Sequence, residues 1–302
     1  DYRGLPFFKK PGDKDSFQKN IDHCFVHIKS IIESLRAKTS AQIIFQNIAQ
    51  VSEKPFGSYE ERLAGTLCSL ISAFNKELDS LASENTFILD IAGLAANLGL
   101  ANWHDPTLWN IAKLPFSQKY VPIYADYVCR ILSSKLGKSR RCLILDLDNT
   151  IWGGVIGDDG MEGILIGNGE PTAESYLDIQ RTALELRDRG IVLAVCSKNE
   201  DVVARQPFKE HPDMLLREKH ISVFQANWID KASNIKAIAN SLSLGLESMV
   251  FLDDNPAERM QVRRELPDVA VPELPENPAL YSRTLLSAGY FESVTFSEED
   301  LK

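Results

Sequence analysis

Two aspartates, Asp146 and Asp148, stand where the apolar strand predicted over 143–147 runs out, so both can reach one small site. A carboxylate held against a divalent cation is a competent nucleophile on phosphorus, because the metal offsets the repulsion between carboxylate and phosphate. A second aspartate beside it can protonate the leaving group and later activate water. Alone, a D-x-D is better read as a solvated acidic turn. Three further elements, in order, displace that reading. Ser197 and Lys198 follow a strand over 191–195 and offer a hydroxyl for a phosphate oxygen. Lys231 opens a helix, where its ammonium and the helix N-terminus both favour phosphate. Asp253 and Asp254 end the apolar strand 249–252 with the oxygen chemistry of a magnesium site.

The elements that must hold these residues alternate. After strand 143–147, a helix over 172–189 ends at Gly190 as a C-terminal glycine cap would, and strand 191–195 follows. A shorter strand over 223–226, a helix over 231–242 and strand 249–252 complete the set, the pattern of a doubly wound α/β sheet with its ligand site at the carboxyl ends of the strands. Between the first strand and the next helix lies only 151–171. Gly153, Gly154, Gly157 and Gly160 there suggest a short hairpin flap around Asp158-Asp159-Gly160 in place of a full cap domain. Such an open site admits a large partner, and Trp152 is expected to pack within the flap.

Upstream the period is also α/β. Phe17, Ile21, Cys24, Phe25, Ile28, Ile32 and Leu35 line one helix face, followed by a strand over 42–47. Ser58 and Glu61 form a capping-box signature before a second helix carrying Leu63, Leu67, Leu70, Phe74, Leu78 and Leu81. A strand over 86–91, a loop holding Trp103, His104, Asp105 and Trp109, and a helix over 117–136 follow. His104 in that loop reads as a substrate contact or, more simply, a structural hydrogen bond. The basic stretch 135–141, with Gly137, marks the expected boundary: an amino-terminal domain over 1–138 and a catalytic domain over 139–302.

The net charge of −9 is uneven. Residues 1–138 hold 16 Lys+Arg against 14 Asp+Glu, and 139–302 hold 17 against 28, so the halves carry about +2 and −11. An acidic catalytic half argues against nucleic-acid binding and calls for a metal ion to offset its field. No run of eighteen apolar residues and no basic-then-apolar leader occurs, so a soluble cytoplasmic protein is expected; the start at Asp1, without Met, suggests a piece of a longer polypeptide. The five cysteines (Cys24, Cys68, Cys129, Cys142, Cys196) are scattered, without a CxxC pair or zinc spacing, which excludes a disulfide framework. Cys196 alone falls where chemistry could use a thiol. In extended chain residues 196 and 197 face opposite ways, so its use requires a turn after Val195.

DLDNT at 146–150, Ser197, Lys231 and the pair 253–254 resemble the four motifs of the haloacid dehalogenase superfamily. The stretches DLDNTIWGGVIGDDG, VCSKN, NWIDKASNI and FLDDNPAER narrow the resemblance to FkbH-like glyceryl transferase/phosphatases. LDIAGLAANLG and NWHDPTLWNIAKLPFS are similar to the amino-terminal region of the same family, so the likeness covers most of the chain. It implies Asp146 as nucleophile, Asp148 as acid/base and Cys196 as the thiol that holds glyceryl as a thioester. Ser197, Lys198, Asn199 and Lys231 would bind phosphate. Magnesium would be held at Asp146, Asp148 (through its carbonyl), Asp253 and Asp254. The implied substrate is 1,3-bisphosphoglycerate and the acceptor is the phosphopantetheine thiol of an acyl carrier protein, in polyketide biosynthesis.

Two other readings stand beside it: a plain aspartate phosphatase acting on a phosphoprotein or small phosphometabolite, and a catalytically silent carrier-docking module. The amino-terminal half resembles a degenerate SGNH-like fold without a GDS block, which implies docking or scaffolding. Asn255-Pro256 with Glu258 reads as a turn that starts a helix, and Arg259, Arg263 and Arg264 as either a second phosphate or acidic-partner site or a solvated face.

Overall fold

The computed structural model describes residues 2–5, 7 and 9–294. The chain divides into two compact units, Asp1–Ile131 and Leu132–Lys302.

In the first unit α1 (Lys14–Arg36) starts at Asp13, whose carboxylate accepts from Ser16 N. Strand β1 (Ile43–Gln46), α2 (Leu67–Asp79) and β2 (Thr86–Leu89) follow, and β1 pairs with β2 in parallel. Cys24, Phe25, Leu70, Phe74 and Leu78 close the core between the helices and this sheet. The expected Ser58–Glu61 capping box does not form. Gly57–Arg62 is a 3-10 helix, and α2 begins only after Thr66, whose hydroxyl accepts from Ser69 N. Gly65 forces the break: it has φ +82°, and a Cβ there would lie 2.3 Å from the Lys10 carbonyl.

The expected tryptophan loop is helical instead. After α3 (Ile91–Leu98) come α4 (Leu100–Trp103) and α5 (Pro106–Ala112), the last capped by Asp105 with Pro106 at its first position. His104 Nε2 lies 2.8 Å from the Gln50 carbonyl, the structural reading of that histidine. Helix α6 (Val121–Lys135) completes this part of the chain.

The second unit is a four-stranded sheet in the order β5-β4-β3-β6, all parallel. Its elements are β3 (Cys142–Leu145), α7 (Ile156–Gly163), α8 (Pro171–Asp188), β4 (Val192–Ser197), α9 (Asp201–Glu210), β5 (Val223–Ala226), α10 (Lys231–Leu242), β6 (Met249–Leu252), α11 (Pro256–Glu265) and α12 (Tyr281–Ser287). Strand alternation sorts the side chains into two buried layers. Leu143, Leu145, Leu193, Val195, Val250 and Leu252 pack with Leu177, Ala183 and Phe208 of α8 and α9. Cys142, Ile144, Ala194, Cys196, Met249 and Phe251 pack with Ile235, Ile238 and Val262 of α10 and α11. With both faces covered, a ligand site is expected at the carboxyl edge of the sheet.

Candidate active site

Asp146 is the first residue beyond β3, and its N–H still donates to Leu252 O at 2.9 Å, so the β3–β6 ladder fixes its direction. Asp253 is the matching first residue beyond β6. Lys231, the first residue of α10, is buried between them at 2% exposure. Its Nζ donates to Asp146 Oδ1 at 2.5 Å and to Cys196 O at 2.8 Å, and stands 3.1 Å from Asp253 Oδ2. Burial pulls the Lys231 ammonium down, but Asp146 and Asp253 outweigh it and hold its pKa above the ordinary value. Burial pushes Asp146 up to about 6, with Lys231 pulling back and Asp253 pushing further. Asp253 and Asp254 are raised as well, chiefly by burial.

Asp146, Asp253 and Asp254 each offer an oxygen, all within 4.8 Å of one another. Asp253 Oδ2 is buried and lacks a hydrogen bond, despite its contact with Lys231. Three converging carboxylates with one oxygen orphaned fit a small hard cation bound by oxygen, as magnesium is. The DD turn is built to hold this shape. Asp254 N donates to Thr150 Oγ1 at 3.1 Å and Asn255 N to Asp253 Oδ1 at 2.8 Å, while Arg259 Nη1 donates to the carbonyls of Asp253 (2.9 Å) and Asp254 (2.6 Å). Arg259 and Arg263 are both paired with Glu273, and Arg264 with Glu265. Arg259 therefore braces the turn, Arg263 ties the helix to Glu273 and Val271, and Arg264 lies on a solvated face.

Asp148 is held by three donors: Trp152 Nε1 and Ile156 N on Oδ1, both at 3.0 Å, and Asn199 Nδ2 on Oδ2 at 2.7 Å. Between the two aspartates' motif and the flap, Asn149 turns the chain at φ 54°, a left-handed conformation asparagine tolerates, and its Oδ1 accepts from Gly154 N. The flap differs from the expected hairpin. Gly153 and Leu165 form one antiparallel bridge, but the tip between them is the helical turn α7, kinked at Gly160. Trp152 is fully buried against Phe208, the packing role.

Strand β4 carries the other group. Asn199 Nδ2 also donates to Ser197 Oγ at 3.1 Å, which puts this hydroxyl beside Asp148. Lys198 Nζ pairs with Glu258 Oε1 at 2.6 Å. Cys196 does not join the site. The strand runs straight through to Ser197 with no turn after Val195, so the thiol faces the opposite, α10 side. It is fully buried, its Sγ is 3.9 Å from Lys231 O, and burial pushes it up to about 12. In this conformation the thiol packs as a core residue.

The place of Thr150, the bracing role of Arg259 and the pairing of Lys198 with Glu258 do not follow from residue type. Thr150 sits inside DLDNT, and its signal was present but unread. The others are set by long-range packing.

The family model for the FkbH amino-terminal domain matches residues 13–133. A solved structure of the N-terminal part of the protein BF1531 from Bacteroides fragilis, described as containing a phosphatase domain complexed with Mg, is 37% identical. The match covers 94% of this chain and 75% of that one, with a TM-score of 0.87. The chain belongs to the FkbH-like family, and the likeness over 94% of its length gives it the fold of that phosphatase-containing structure. A haloacid dehalogenase family enzyme from Bacteroides thetaiotaomicron, solved with magnesium and inorganic phosphate, matches at 12% identity, 45% of this chain, 95% of that chain and a TM-score of 0.33, too low to carry an argument. No similar protein was found among curated ones.

Proposed function

We propose that the second unit is a magnesium-dependent phosphatase that works through an aspartyl-phosphate on Asp146. One observation carries the reading: a buried lysine clamps two strand-end carboxylates whose free oxygens converge with a third. Magnesium would be held by Asp146, Asp253 and Asp254, beside the Asp148 turn, and when bound would offset the charge between nucleophile and phosphate. Asp146 attacks phosphorus, Lys231 holds its carboxylate in line and neutralises it, and Ser197 Oγ donates to a phosphate oxygen. Asp148 gives a proton to the leaving group and takes one from the water that opens the intermediate; Asn199 aims it. Phosphate release from p-nitrophenyl phosphate that requires magnesium and vanishes in Asp146→Asn tests this.

Within that chemistry stands the finer FkbH-like reading: D-glyceryl transfer from 1,3-bisphosphoglycerate to the phosphopantetheine thiol of an acyl carrier protein in a polyketide pathway, in the cytoplasm, with the first unit as a docking part. The family supports it, and within the second unit the segment between β3 and α8 folds into a short helical flap. No described helix is long and apolar enough to cross a membrane. The burial of Cys196 favours the second reading, plain phosphatase action, because a thioester at that thiol needs β4 to part from α10. Intact-protein mass spectrometry with 1,3-bisphosphoglycerate and magnesium separates the two. A glyceryl adduct lost in Cys196→Ala supports transfer through the thiol; phosphate release with no adduct supports hydrolysis.

A further inference from the structure

The sheet order puts β4 and β6 on either side of β3. Lys198 stands just beyond β4, and Glu258 lies in the first turn of α11, just after β6. Their 2.6 Å ion pair therefore bridges from one flank of β3 to the other, at the carboxyl edge where Asp146 emerges. The pair is only partly open to solvent: Lys198 is 38% and Glu258 17% exposed, and Glu258 Oε2 is buried without a hydrogen-bond partner. A carboxylate that spends one oxygen on Lys198 and leaves the other orphaned is poorly satisfied where it is.

Charge shows what such a pair could be for. Asp146, Asp148, Asp253 and Asp254 gather at this edge, and among the described residues Lys231 is the buried ammonium that pairs with them, through Asp146 and Asp253, so even a divalent cation leaves the group about one charge negative. A phosphate dianion adds about two more negative charges to the same place. Lys198 is the other ammonium at this edge, and Glu258 cancels it.

We propose that Glu258 is a positioning residue that holds Lys198 in reserve, and that an arriving phosphate takes the Lys198 ammonium from it. The proposal rests on the phosphatase reading and deepens it: the substrate's phosphoryl group competes with an internal carboxylate for one cation. Affinity for the phosphoryl group is thereby set by Glu258 without contact between them. No bond is made or broken; one charge-assisted hydrogen bond is exchanged for another.

The test is the affinity of inorganic phosphate for the full chain with saturating magnesium, measured by calorimetry and as competitive inhibition of p-nitrophenyl phosphate hydrolysis. Glu258→Gln keeps the shape and removes the charge, and is expected to tighten phosphate about tenfold; Lys198→Met is expected to weaken it about tenfold. The double variant should match Lys198→Met alone, since Glu258 acts only through the lysine. In Glu258→Gln the change should appear in KM more than in kcat, which a merely structural role would not produce. The proposal is overturned if Glu258→Gln leaves phosphate affinity unmoved, or if its effect survives in the Lys198→Met background. Wild-type protein that hydrolyses p-nitrophenyl phosphate yet shows either result sinks this inference alone; wild-type protein that neither binds phosphate nor releases it sinks the phosphatase reading with it.

Discussion

Replacing Lys231 with Met leaves an unbranched side chain one atom shorter and removes a buried charge that lies 2.5 Å from Asp146 and 3.1 Å from Asp253. Breaking a buried ion pair on one side typically costs about 3–5 kcal/mol, because the surviving charge is left uncompensated. Here two carboxylates survive, so the loss in chelator at pH 8 is expected near the top of that range. The sign of its pH dependence follows from the carboxylates. Asp146 is already raised from 3.8 to about 6 by burial, so its charge burdens the folded state progressively as pH rises from about 4 to about 6. Without Lys231 its pKa climbs further. The variant's deficit should therefore be small near pH 5 and grow toward pH 8.

Lys231 itself, its pKa held above the ordinary lysine value by Asp146 and Asp253, contributes its stabilisation throughout this window and loses it only at higher pH. Magnesium should restore part of the deficit, about 2.7 kcal/mol at a hundred times its dissociation constant. Because the chain has two units, the readout is hydrogen exchange at the amides of β3, which reports opening of the second unit by itself. A loss below about 1 kcal/mol in chelator at pH 8, or one that does not shrink with acid, refutes the electrostatic account of the site.

Cys196→Ala should leave magnesium-dependent phosphatase activity intact and cost about 1 kcal/mol of stability; native Cys196 should resist alkylation at pH 8, since burial holds its pKa near 12. Magnesium affinity should fall by about tenfold per pH unit as the medium drops below about 6, where protons compete for Asp146, and titration calorimetry reads this directly. Asn199→Ala should lower kcat by roughly ten- to a hundredfold with little change in KM, because it frees the Asp148 carboxylate without removing it.

The catalytic strands were readable because each ends in a chemical residue: Asp146 and Asp253 stand one position past apolar runs, and Lys231 opens its helix where the sequence places it. Strand direction, parallel pairing and the two-layer core follow from strand and helix alternating. What sequence spacing could not resolve was which way neighbouring side chains turn. Expecting a bend after Val195 brought Cys196 toward the site, whereas β4 continues to Ser197 and strict alternation sends the thiol into the α10 layer. In the flap the glycines signalled a turn but not its type, and Asp148, by accepting from Trp152 and Ile156, ties the chain into a helical one. In the first unit the capping-box pattern at Ser58 and Glu61 lost to Gly65, whose close approach to Lys10 is a tertiary contact invisible in local sequence.

Covalent trapping at Asp146 probes the chemistry most directly. Protein mixed with excess phosphoryl donor and magnesium, quenched in acid within one turnover and digested, should yield a phosphate on the peptide bearing Asp146 and on no other, absent in Asp146→Asn. Turnover without label at that residue, or an active Asp146→Asn protein, contradicts the mechanism.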